Sequence, residues 1–267
     1  MTQTYLNSPK LKADFLAEIT KHEEQDALIK GTYGEMNGMF RGCAIGCSLH
    51  SLNVLQGKTG DALVASTNQH SRYEAELGLP TWFAYLEDNI FEHLPDDLAT
   101  TWPRRLAEAI PVGAVVDDRV LARILRWVLA DAEFGVRHAT ERDDIRGYID
   151  TIVVMFDAEI SGTATAEQRE AAARAARAAR AARAARDAWD ARDAWDARDA
   201  WAAWDARDAW AARDAWAAWD ARDAWAAWDA RDEAHSGKKA DAFFPSLADY
   251  VLTLVRTLPV ANEQARA

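Results

Sequence analysis

Between Phe40 and His50 the chain reads Phe-Arg-Gly-Cys-Ala-Ile-Gly-Cys-Ser-Leu-His. On a helix, Gly42 and Gly46 share a face with Cys43, Cys47 and His50, because residues three and four apart are neighbours. Such a run of small side chains lets another helix or a flat ligand come very close. Arg41 stands at the helix start, where unpaired backbone N–H groups favour an anion. The segment Asn68-Gln-His70-Ser-Arg72-Tyr73-Glu74 adds a second set of polar groups just before another helical stretch. The candidate ligand-binding residues are therefore Arg41, Gly42, Cys43, Gly46, Cys47, His50, His70, Arg72 and Tyr73. The competing reading of the same window is tight helix packing over buried free thiols.

Two other chemistries use residues of these types. Cys43, Cys47 and His50 are spaced i, i+4, i+7, with His70 as a fourth donor. A rise of about 10.5 Å along one helix is too long for bonds of about 2.0–2.3 Å to reach a single zinc easily. No CxxC or HExxH accompanies them, so the spacing assigns no metal. Cys43 near a helix N-terminus beside Arg41 suits a lowered thiol pKa, with His50 or His70 as base, and a cysteine-dependent enzyme follows from that reading. Gly57-Lys58-Thr59 lacks the first glycine of a phosphate loop, Leu52 standing in its place. The acidic pairs Glu87-Asp88 and Asp143-Asp144 are expected on solvated helix faces. No catalytic residue and no cofactor are assigned.

The elements that must position these groups read as helices. Ser8 and Pro9 form a helix start, followed by an apolar stripe of Leu11, Phe15 and Ile19. The glycines from Gly31 to Gly42 suit turns rather than a regular element. Helical patterns follow at residues 43–55, 71–77, 80–94, 96–110, 117–132 and 140–160, with breaks at Gly78-Leu-Pro80, Pro95, Pro111-Val-Gly113 and Gly135. The expected class is all-α. Residues 1–162 form a helical globular domain, 166–235 a low-complexity triplet-repeat helix, and 243–260 a terminal amphipathic helix with Leu247, Val251, Leu254 and Leu258 on one face. Thr165 is placed to cap the repeat helix.

In the tract every third residue from Arg174 to Arg231 is Arg or Trp, 11 of the first and 9 of the second. The position after is Asp or Ala, and the third is always Ala. On an α-helix a strict three-residue period slips back by about 60° per step, so the large side chains fan around the axis. That excludes a coiled-coil heptad. A 3₁₀ helix would align them in rows, but long 3₁₀ runs are uncommon. A Trp-studded helix exposes apolar surface suited to self-assembly or a partner, and the plainer alternative is a spacer.

Of the chain's 267 residues, 49% are hydrophobic and 28% charged, and the formal net charge is −12. The tract is nearly neutral, so the acidity belongs to the rest and disfavours nucleic acid. No apolar run is long enough to span a bilayer, and no leader pattern opens the chain, so a cytoplasmic, reduced setting is expected for its two cysteines.

Gly31-Thr-Tyr33, Gly42-Cys-Ala-Ile-Gly-Cys-Ser-Leu-His50, Tyr73-Glu-Ala-Glu-Leu-Gly-Leu-Pro80 and Leu86-Glu-Asp-Asn-Ile-Phe-Glu-His-Leu-Pro95 resemble a family of uncharacterised bacterial, phage and prophage proteins. Trp102-Pro103 and Ala109-Ile-Pro-Val-Gly-Ala114 fit it too, as does an Ala-rich triplet tract before a Leu-rich terminal helix. The resemblance implies accessory work in a bacterial host, such as counter-defence, and assigns no catalytic role. The leading expectation is a non-enzymatic binding protein for a small anionic or nucleotide-like ligand, of the kind a phage would encode as a sponge. The alternatives are an assembly protein that forms a homo-oligomer through the tract, and a cysteine-dependent enzyme.

Overall fold

The computed structural model describes residues 2–37, 39–64, 69–190 and 237–260. Among them the chain is all-α apart from one small hairpin. It divides into two compact units, residues 1–117 with 238–267, and residues 118–237. The boundary differs from the expected one: the body read as residues 1–162 ends at Asp117, and the terminal helix belongs with the first unit.

In the first unit, Ser8 accepts the Leu11 N–H and Pro9 opens α1, Pro9–Glu24. Phe15 and Ile19 bury the stripe, as the spacing predicts. The glycine-rich stretch departs from its expected turns: β1 (Glu35–Asn37) and β2 (Met39–Arg41) pair antiparallel, Met36 opposite Phe40. Asn37-Gly38 between two short runs is a hairpin signature, which accounts for the pairing. Phe40 points into the core and Met36 and Met39 outward.

Helices α2 (Ala44–Leu55) and α3 (Thr81–His93) follow, joined partly by a single π turn at Tyr73–Leu77 that ends on Gly78. The helix expected over 96–110 is two, α4 (Asp96–Ala99) and α5 (Trp102–Ala109). Pro103 has no N–H to continue the first helix, and it sits where a new helix tolerates it. Helix α2 packs against α1 and α3, and α1 also packs against α5. Ile45, Leu49, Phe83, Leu86, Ile90 and Trp102 are fully buried.

The second unit holds α6 (Asp118–Ala130), α7 (Asp143–Ser161) and α8 (Ala166–Asp190). Gly162 ends α7 in the left-handed region. Thr165 and Gln168 cap α8 reciprocally: the Gln168 N–H donates to Thr165 Oγ1, and the Thr165 N–H donates to Gln168 Oε1. Leu125 and Leu129 of α6 and Ile149, Ile152 and Phe156 of α7 form the core with Ala172 and Ala175 of α8. Where the helix is described, the alanine that follows each arginine, the position that is Asp elsewhere in the tract, does the packing, with Arg174 and Arg177 left outside. Residues 191–236, which carry all but one of the tract's tryptophans, lie outside the described residues, and the assembly expectation falls on them.

The last helix, α9 (Gly237–Arg256), belongs from Lys238 on to the first unit. It buries Leu247, Val251 and Leu254, and Leu258 just beyond it is buried as well. Among the described residues no helix is long and apolar enough to cross a membrane.

Candidate functional site

The start of α2 is built around two glycines. A side-chain carbon on Gly46 would lie 1.8 Å from the Tyr33 carbonyl oxygen, and one on Gly42 2.9 Å from the same atom. The face that these glycines open is thus filled by the chain's own Tyr33-Gly34 backbone. Three backbone hydrogen bonds hold that strap. The Gly42 N–H donates to Ala27, the Ile29 N–H to Gly42 and the Cys43 N–H to Thr32, each at 2.8–2.9 Å.

Cys43 is the N-cap of α2, its sulfur accepting the Gly46 N–H at 3.5 Å. Opposite it stand two carboxyls of α3. Cys43 Sγ and one oxygen each of Asp88 and Glu92 lie within 4.8 Å of one another. The Ile45 N–H favours the charged form of Asp88, so the anion-attracting end of α2 is already met by a carboxyl of this chain. Asp88 Oδ1 is buried and has no hydrogen-bond partner. The Gly31 N–H donates to both Glu92 oxygens, at 3.0 and 3.2 Å.

All three groups resist ionisation. Burial, then the neighbouring Asp88, pushes the Cys43 thiol well above its ordinary range. Burial raises Asp88 against the opposing pull of the Cys43 thiol, His70 and the Ile45 N–H. Glu92 is raised by burial and by Asp88, against the Gly31 N–H and Lys30. A thiol held so firmly protonated is not a poised nucleophile.

His70 belongs beside this cluster. It is buried, its Nδ1 is 3.2 Å from the Tyr33 hydroxyl, its ring stacks on Tyr85 at 3.9 Å, and its Nε2 has no partner. Burial lowers its pKa while Asp88 works to raise it.

The other expected residues go elsewhere. Cys47 is buried, its thiol directed at the Gly42 and Ala27 carbonyls and pushed up to about 12, burial being the largest cause. His50 pairs with His22 of α1. Arg41 reaches Asp26, and Arg72 is tied to Glu76 of its own turn. Tyr73 donates to the fully buried Glu87 at 2.9 Å, and the Trp102 indole donates to the Glu87 carbonyl.

The acidic residues of α3 correct the sequence reading. Glu87 is only 5% exposed and Asp88 is half-buried, whereas both were expected on a solvated face. A signal existed: Phe83, Glu87 and Ile90 recur at helical spacing, which puts Glu87 on the apolar stripe. Asp143 and Asp144 are exposed, as expected.

No known family model matches this chain, and neither a curated protein nor a solved structure is similar to it.

Proposed function

We propose that this is a non-enzymatic binding protein whose ligand, at the start of α2, is a divalent cation held by Cys43, Asp88 and Glu92. The observation that carries the reading is the convergence of one sulfur and two carboxyl oxygens within 4.8 Å, one carboxyl having a buried oxygen without a partner. Donors around a tetrahedral zinc stand roughly 3.3–3.8 Å apart. The cluster closes onto such an ion by movements of about 1 Å, and a tetrahedral ion would take one ligand beyond these three.

Charge favours the same ligand. Ionising one of three crowded acids makes the others harder to ionise, and a dication relieves that repulsion. An anionic ligand at this helix end meets Asp88 and Glu92 instead of open N–H groups. Zinc and similar borderline ions suit a mixed thiolate and carboxylate set better than calcium or magnesium, which take oxygen only.

Isothermal titration of zinc into the metal-free full chain tests this. The expected result is one ion per chain, protons released on binding, and affinity that rises with pH as the thiol gives up its proton. Asp88→Asn and Glu92→Gln each weaken binding by at least about tenfold. Binding that is absent, or that is the same in all three proteins, overturns the reading.

A further inference from the structure

A second polar cluster lies two turns further along α2 and shares no residue with the cation site. His50 Nδ1 and His22 Nε2 face each other at 3.2 Å, joining α2 to α1. The rings stand edge to face with centroids 5.0 Å apart, and Phe40 of β2 stacks on His50 at 4.2 Å. His22 is 5% exposed, and its other ring nitrogen is buried without a partner. Two nitrogens at this separation have room for one proton between them. With one ring donating and the other accepting, the pair is a hydrogen bond; with both rings charged, two N–H groups point at each other.

We infer that the His22–His50 pair is an acid-sensitive latch between α1 and α2, closed while one proton is shared and opened when each ring is fully protonated. Its surroundings offer little to hold a double charge. On α1, Lys21 opposes charge on His22, and Glu18, which favours charge on His50, already pairs with Lys21 at 2.5 Å. Glu23 is committed to Arg104 of α5 at 2.7 Å. Phe40 contributes only its ring. Burial holds both imidazoles below their ordinary range, His22 down to about 4.

The latch sits at the root of the strap that positions Cys43. The Ala27 N–H donates to the His22 carbonyl, and the Ala27 carbonyl takes both the Gly42 N–H and the Cys47 thiol. Parting α1 from α2 therefore loosens the run of backbone that leads into the N-cap.

In the open form an imidazole regains its ordinary pKa of about 6.5. For His22, held down to about 4, this adds up to about a tenfold rise in opening per pH unit between about pH 6.5 and 4, and the lowered His50 adds to it below about pH 6.5. Hydrogen exchange on the full chain, corrected for its intrinsic pH dependence, reads this directly. Amides of residues 19–27 and 44–50 lose protection by about tenfold per pH unit in that window, more where both rings take up protons. His50→Gln keeps a hydrogen-bonding group that takes no charge, and it makes the slope shallower by up to about tenfold per unit. A flat wild-type profile, or an equal slope in the variant, overturns the latch. Imidazole nitrogen shifts of the wild-type chain give a second readout that needs no variant. His22 stays uncharged until near pH 4, and both rings titrating independently near 6.5 refutes the proposal.

Discussion

In the second unit, Leu125, Leu129, Ile149, Ile152 and Phe156 meet alanines of α8, and among the described residues none of the buried polar or charged side chains belongs to this unit. In the first unit, Glu87, His22 and His70 are buried together with Ser48, Ser51 and Asn53. The second unit keeps its charges outside, paired across helices as Arg126 with Asp157 and Arg169 with Glu159. Buried polar groups are costly unless they are paired, and even then an apolar core of the same shape is often as stable. The second unit shows that this chain can build a core without them. The polar interior of the first unit is therefore where function is to be sought.

The contrast makes graded predictions. Phe156→Ala, in the apolar core, destabilises the protein by about 3–5 kcal/mol, read from calorimetric or urea unfolding. A smaller effect there would mean that the second unit is loosely packed and the contrast is overdrawn.

Glu87 gives the next effect, and its sign is fixed by pH. Burial raises its pKa from 4.5 to about 8 against the favourable Tyr73 hydrogen bond. A carboxyl harder to ionise in the folded than in the unfolded chain supplies stability that is full below about pH 4.5 and is lost as pH rises to about 8. Across that window the wild type falls relative to Glu87→Gln by on the order of 2–4 kcal/mol, measured by urea midpoints at pH 5 and 8. Parallel pH profiles would show Glu87 to be ionised in the fold.

Gly46→Ala places a carbon on the Tyr33 carbonyl and costs about 2–3 kcal/mol by the same assay. Arg126→Gln breaks a half-exposed ion pair and costs no more than about 0.5 kcal/mol.

Much of the fold was legible. The Ser8-Pro9 start, the α2 boundaries, the Thr165 cap and the buried face of α9 all follow from periodicity and capping chemistry. The hairpin was missed because seven residues between glycines carry too little alternation, even though Asn37-Gly38 marks a turn. The split between α4 and α5 was lost in an unbroken helical pattern that Pro103 interrupts only by its missing N–H.

At the site, sequence reasoning found one wall and misjudged the other. Cys43 and His70 were singled out by residue type. Asp88 and Glu92 were not, because a carboxyl on a helix is ordinarily solvated, and only tertiary packing decides which turn of α3 faces α2. The two glycines were read as an opening. Their smallness instead admits Tyr33, 13 residues upstream of Gly46, a pairing that no local pattern encodes.

The central claim is that the first unit's polar interior holds a metal through Cys43. Cadmium added to the metal-free full chain tests it through the ultraviolet absorption of a cadmium–thiolate bond. The account predicts a band that saturates at one ion per chain, persists in Cys47→Ser, and vanishes in Cys43→Ser. A band that is missing, or that follows Cys47 instead, contradicts it.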